Sequence, residues 1–188
     1  MEVPAFFDLS PHFAGFCIGS GETTPVADAY KFDDHPDDDL GALGLELWAL
    51  LTALHQRFGF TTVGYEKPLL LVNVRFKDGE RRTDKLVDLR RTYGLGMIIE
   101  TWCALHNIPC GEETVQAVKK AATGNQHAEK ADVAAAMERI GIELPKTKAA
   151  GRWDAGDAAA GWLLSVRAWN PWLAERFDKL LFRSHGLI

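Results

Sequence analysis

Four acidic side chains stand where a fold can put them to chemical use. Asp8 follows a short apolar and aromatic run (residues 4–7), and Glu66 closes a β-branched and aromatic run (residues 60–66, FTTVGYE). Asp154 and Asp157 open an alanine-rich stretch. Strand ends in an open α/β sheet are where ligands collect. Asp154 and Asp157, three residues apart, project from one face of a helical turn. Four carboxylates converging there would repel one another unless divalent cations held them. Hard oxygen ligands suit Mg²⁺ or Mn²⁺, and two such ions roughly 3.5–4 Å apart form a clamp suited to phosphodiester cleavage. Each residue alone also has a plainer reading: Asp154 as a helix cap, Asp8 as the start of a turn.

The elements that must position these acids can be read along the chain. Pro4 to Leu9 reads as a buried strand ending in the turn Ser10-Pro11, and Phe13 to Gly19 as a second strand with Ala14, Phe16 and Ile18 alternating against Gly15, Cys17 and Gly19. A third strand covers Val26 to Phe32, and three strands with short connections predict an antiparallel meander. Asp37 to Asp39 cap a helix running to Phe58, marked by Leu40, Leu43, Leu47, Leu50, Leu51 and Leu54. Phe60 to Glu66 reads as the fourth strand. Residues 69–82 form a basic segment of no clear periodicity, and Thr83 to His106 a second long helix. A short strand follows at Pro109 to Thr114, then helices over Val115–Ala122, Glu129–Ile140 and Trp153–Trp169, with a loop from Gly141 to Gly151. Strands alternating with helices after a meander predict an α/β fold, a mixed sheet covered by helices. Residues 1–170 read as one domain, and the stretch from Pro171 to residue 188 as an amphipathic tail packed on that domain or on a subunit interface.

Composition narrows the classes. The 188 residues are 47% hydrophobic and 25% charged, ordinary for a globular chain and unlike a disordered or fibrous one. Three cysteines (Cys17, Cys103, Cys110) form no CxxC pair, as expected of a reduced, cytoplasmic protein. No apolar run is long enough to span a bilayer, and the start MEVPAFFDLS is not that of a signal peptide. The net charge of −5 speaks against a polyanion partner, but five aspartates lie at 33, 34, 37, 38 and 39. Without them 21 acidic side chains face 21 basic ones. Neither Gly19-Ser20-Gly21 nor Gly94-Leu95-Gly96 completes a nucleotide loop, and the six histidines have no paired metal-ligand spacing.

The acids recur in blocks that resemble the RuvC family of Holliday-junction resolvases, within the RNase H-like superfamily. Phe6-Phe7-Asp8-Leu9-Ser10 followed by Gly15-Phe16 is similar to the family's first two strands, and Val63-Gly64-Tyr65-Glu66 to its fourth-strand Glu. Val118-Lys119, Gly124 and Ala128-Glu129-Lys130 look like its V-K-x4-G-x3-A-x-K stretch. Trp153-Asp154-Ala155-Gly156-Asp157-Ala158 resembles its D-x-x-D-A segment. The blocks span roughly residues 4–168 in the family's order. The segment after Glu66, the acidic run before the first helix and the tail after Pro171 depart from the pattern.

The resemblance implies an RNase H-like fold with a central mixed five-stranded sheet, three antiparallel strands and then parallel ones, covered by helices. It implies a metal-dependent endonuclease that resolves four-way junctions or other branched DNA by paired cuts leaving 5′-phosphates, acting as a homodimer without a membrane. Asp8, Glu66, Asp157 and Asp154 would hold two Mg²⁺ per site, with Mn²⁺ able to substitute, and Asp154 would either ligate or orient the attacking water. One ion would generate hydroxide and the other stabilise the departing 3′ oxygen. Lys130, and with it Lys119, would neutralise phosphate charge. Arg81, Arg82, Lys85, Arg90 and Arg91 either contact DNA phosphates or form a solvated face. Phe76 is the candidate wedge at a branch point, where Leu69, Leu70 and Leu71 read better as core. Two alternatives stay open: an RNase H-like nuclease acting on flaps, forks or RNA–DNA hybrids, and a binding module that keeps the fold without the activity.

Overall fold

Strand β1 (Pro4–Leu9) turns through Pro11 and His12 into β2 (Phe13–Ile18), closed by the Ser10 N–H donating to the Phe13 carbonyl at 2.9 Å. The structure, a computed structural model, describes residues 2–36, 39–68 and 82–184, with the side chains of 82–85, 173 and 182–184 outside that description. Strand β3 (Val26–Lys31) pairs antiparallel with β2 and completes the meander. Helix α1 (Leu40–Phe58) follows, its first turn capped by Asp39 accepting from the Ala42 N–H and its end closed by Gly59 at φ 61°. Strand β4 (Thr62–Glu66) lies parallel to β1, and helix α2 (Arg82–Leu105) leads to β5 (Cys110–Glu113), parallel to β4. Helices α3 (Val115–Thr123), α4 (Lys130–Arg139), α5 (Arg152–Trp169) and α6 (Pro171–Ser184) complete the chain.

The sheet order is β3-β2-β1-β4-β5, with β1 at its centre. Side chains alternate across each strand, and here both faces are covered. Ala5, Phe7, Leu9, Ala14, Phe16 and Ile18 join Val63 and Tyr65 beneath α1 and α2. Phe6, Cys17 and Ala27 face α3, α4, α5 and α6. The alternation read in β2 therefore separates two cores rather than core from solvent. Asp8 falls on the face of Phe6, and Glu66 on the face opposite Val63 and Tyr65. Both acids thus face the α5 layer, at the carboxyl ends of neighbouring parallel strands.

Helix α5 is the central post of that layer, with Ala155 to Leu163 all buried. It lies on the sheet through positions that carry no side chain. A Cβ on Gly161 would sit 2.1 Å from the Phe6 ring, and one on Gly15 only 2.2 Å from the Asp154 carbonyl oxygen. Gly64, in register with Phe6, likewise meets the Phe6 ring and Ser165. Trp162 anchors the helix by donating to the Gly19 carbonyl at 3.0 Å, and Phe177 of α6 meets it edge to face. The amphipathic tail is α6: Ala174, Phe177 and Leu181 enter the same core, and Arg167 ties α5 to Asp178 of α6 and to the Ala121 carbonyl of α3. Trp169 and Trp172, by contrast, are exposed. No described helix is long and apolar enough to cross a membrane.

Glycine in a strand or helix interior is normally a weakness that alanine repairs, so the close approach reverses the expected sign. Gly15→Ala and Gly161→Ala should each lower stability by about 1–3 kcal/mol through overpacking, measured by urea unfolding. A gain in stability would show that α5 does not need this contact.

Candidate active site

The helix–strand contact sets the position of the acids. Gly161 rests on Phe6. One turn back along α5, roughly 6 Å, is Asp157; two residues forward along β1, roughly 6.6 Å, is Asp8. Because α5 runs against β1, the two displacements have the same direction and bring these carboxylates together. Asp154 follows one turn earlier, where its carbonyl covers Gly15, the residue paired with Asp8 across β1 and β2. Glu66 joins from β4, where it follows Tyr65, the register partner of Phe7.

Lys130, the first residue of α4, reaches into this group. Its Nζ lies 3.0 Å from Asp157 Oδ2 and 3.9 Å from both Asp8 Oδ2 and Asp154 Oδ1. The start of α4 is fixed by a reciprocal cap between Glu129 and Asp132. The preceding turn is fixed by Lys119, whose Nζ donates to the Ala128 carbonyl at 2.7 Å. Lys119 therefore braces the loop that delivers Lys130, while its charge is also felt by Glu66 and Asp157. His127 is exposed on that loop, as a surface histidine would be.

The cluster is buried: Asp8 is 5% exposed and Asp157 3%. Burial, reinforced by Glu66 and opposed by Lys130, pushes the Asp8 carboxyl well above its usual range. Burial and then the Asp157 charge lift Glu66 from 4.5 to about 7. Asp157 is raised by burial against the pull of Lys130, and the surrounding carboxylates raise Lys130 despite its own desolvation. Asp8 Oδ2 and Asp157 Oδ1 are buried with no hydrogen-bond partner. Among the described residues no three acidic, His or Cys side chains stand close enough together to chelate an ion as placed; the acids are grouped around Lys130 instead. An all-oxygen set with orphaned buried lone pairs nevertheless has the donor chemistry a hard divalent cation requires.

The other sequence candidates divide. Arg90 is exposed on α2, but Arg91 is buried and donates to the carbonyls of His35 and Pro36 at 2.8 and 2.9 Å. Arg91 is thus a structural clamp on the loop after β3 and not part of a solvated or phosphate-contacting face. Arg81, Phe76 and Leu69 to Leu71 lie outside the described residues, as do the side chains of Arg82 and Lys85. Sequence reasoning passed over Gly161, although a glycine interrupting the alanine run of α5 was the available signal, and it named Gly64 only as part of the block ending in Glu66. It also passed over Glu113, in register with Glu66, which lines a separate cavity of about 340 Å³ with Thr62, Gly64 and Ser165.

No sequence-family model matches the chain, and no curated protein matches it by sequence. Solved structures do match. The fold is RNase H-like, and within that class it is the fold of RuvC. Thermus thermophilus RuvC superposes with a TM-score of 0.62 at 19% identity, covering 89% of this chain and 95% of that one. The same protein in complex with its Holliday junction substrate gives 0.64 at 18%, covering 90% and 97%. The yeast mitochondrial Holliday junction resolvase Ydc2 gives 0.55 at 12%, covering 98% and 84%.

The raised carboxyls make a sign prediction for the metal-free chain. Between 4.5 and about 7 the native state keeps on Glu66 a proton that the unfolded chain has released. Stability must then fall as pH rises through that window and level off above it; Asp8 and Asp157 act in the same direction. In chelator-treated protein, Glu66→Gln should flatten the dependence of the melting temperature on pH between 5 and 8. An unchanged slope would place Glu66 outside the coupled cluster.

Proposed function

We propose that the chain is a metal-dependent, structure-specific endonuclease that resolves four-way junctions or other branched DNA. The observation that carries this reading is the convergence of Asp8, Glu66, Asp154 and Asp157 with Lys130 at one end of a RuvC-type sheet. Asp8, Glu66 and Asp157, with Asp154 beside them, would hold divalent ions, Mg²⁺ first and Mn²⁺ as substitute. When bound there, such ions would supply activation of a water and charge stabilisation for the leaving oxygen. The chain's own part is to carry the acids on β1, β4 and α5 and to present the Lys130 ammonium to a scissile phosphate. Lys119 braces the backbone turn from which Lys130 extends.

The shape of α2 fits a long polyanion. Its 24 residues span about 36 Å. Its C-terminal end feeds β5 at the amino end of the sheet, and Gly96 already stands level with Tyr65 near the carboxyl end of β4. The first turns, which carry Arg82, Lys85 and Arg90, therefore run past the carboxyl end of the sheet, where the acids lie. Phosphate contacts by these residues would follow the arms of a junction. Two symmetric cuts need two sites related by a two-fold axis, so the active form would be a homodimer.

The test is cleavage of an end-labelled four-way junction, a linear duplex and a fork, with and without Mg²⁺. Paired symmetric nicks on the junction alone, leaving 5′-phosphates, are expected. Asp157→Asn should reduce cleavage by at least about 10²-fold while junction binding in a gel shift stays unchanged. Single cuts on forks or flaps without junction resolution would assign a different nuclease activity to the same site.

A further inference from the structure

The acid cluster contains its own cation. Lys130 Nζ touches the reach of three carboxylates drawn from β1 and from two turns of α5, at 3.0, 3.9 and 3.9 Å. Its side chain is nonetheless 48% exposed, so it reaches the acids with about half its surface still open to solvent. The residue occupies the first position of α4, beside the positive end of the helix, where a cation is electrostatically disfavoured. The helix does not draw the ammonium there; the acids do.

One ammonium cannot satisfy the cluster. It supplies a single positive charge and three N–H groups, against four carboxylates. Asp8 Oδ2 and Asp157 Oδ1 remain buried without hydrogen-bond partners while the lysine is in place. The remaining lone pairs favour a denser cation, which would draw on the same carboxylates, Asp8 and Asp157, beside which the Lys130 ammonium now sits. Four rotatable bonds let the lysine withdraw without any movement of α4.

Resting on the metal-site reading above, we propose that Lys130 is the resident counter-ion of the acid cluster. It holds the acids together when divalent ions are absent and yields its place when they bind. Competition for the same carboxylates makes Lys130 a determinant of metal affinity. Its withdrawal couples loading of the site to the release of a positive charge toward a bound phosphate.

The probe is Mn²⁺ alone, titrated into the chelator-treated chain of 188 residues with free Mn²⁺ read by electron paramagnetic resonance. Lys130→Met should bind Mn²⁺ about 5- to 100-fold more tightly than the parent chain, and its metal-free form should melt several degrees lower. Lys130→Arg, which keeps the charge, should restore most of the metal-free melting temperature. In the parent chain, Mn²⁺ should raise the rate of Lys130 modification by an amine-reactive reagent several-fold, with exposed Lys148 as reference. Affinity in Lys130→Met no tighter than in the parent overturns the proposal and leaves the metal site standing, as does a Lys130 modification rate insensitive to bound Mn²⁺. Failure of both chains to bind Mn²⁺ removes the metal site itself, and the competition with it.

Discussion

The whole arrangement depends on how closely α5 lies against the central sheet. Gly161 on Phe6 and Gly15 under the Asp154 carbonyl leave no room for even a methyl group. A helix held off by ordinary side chains would still cover the core, because Ala158 to Leu163 would remain apolar and face the sheet layer. It would not bring Asp157 into the field of Asp8. The contact is a matter of excluded volume, and the electrostatics of the site follow from it.

That electrostatics runs against the stability of the fold. Buried carboxylates are costly unless paired, and one lysine against four acids pairs them incompletely. The raised values of Asp8, Glu66 and Asp157 record the imbalance. Elsewhere the chain satisfies its polar groups well: Asp39, Thr114 and the Glu129–Asp132 pair cap three helices, and Trp102 and Trp162 both find acceptors. Among the described residues the buried carboxyls without partners fall together in this cluster, while His55 Nδ1 is an orphan elsewhere; grouped departures of this kind mark a site kept for chemistry.

Much of this was legible in the sequence because it is written in local patterns. The leucine spacing of α1, the aromatic runs of β1 and β4 and the alanine stretch of α5 each specify an element by periodicity, and the elements observed differ by only a residue or two at their ends. The likeness to RuvC was legible in the order of the acid blocks, and the solved neighbours share that fold. Less visible was whatever depends on distance in three dimensions. Nothing local in Arg91 distinguishes it from Arg90, yet one is pinned beneath the loop after β3 and the other faces solvent. Lys119 looked like a second phosphate contact, and only the position of the Ala128 carbonyl shows it bracing a loop. The residues after Glu66 carried neither periodicity nor a family counterpart, so no pattern placed them.

The members of the cluster sit on parts of the molecule with very different local stability. Asp8 belongs to a strand with neighbours on both edges and a core on each face, the kind of segment that opens only when the entire domain unfolds. Lys130 belongs to the first turn of a ten-residue helix, where fraying is cheapest. The strand-borne acid is therefore the most rigid part of the site, and Asp154 and Lys130, each in the first turn of a helix, are left the freedom to rearrange.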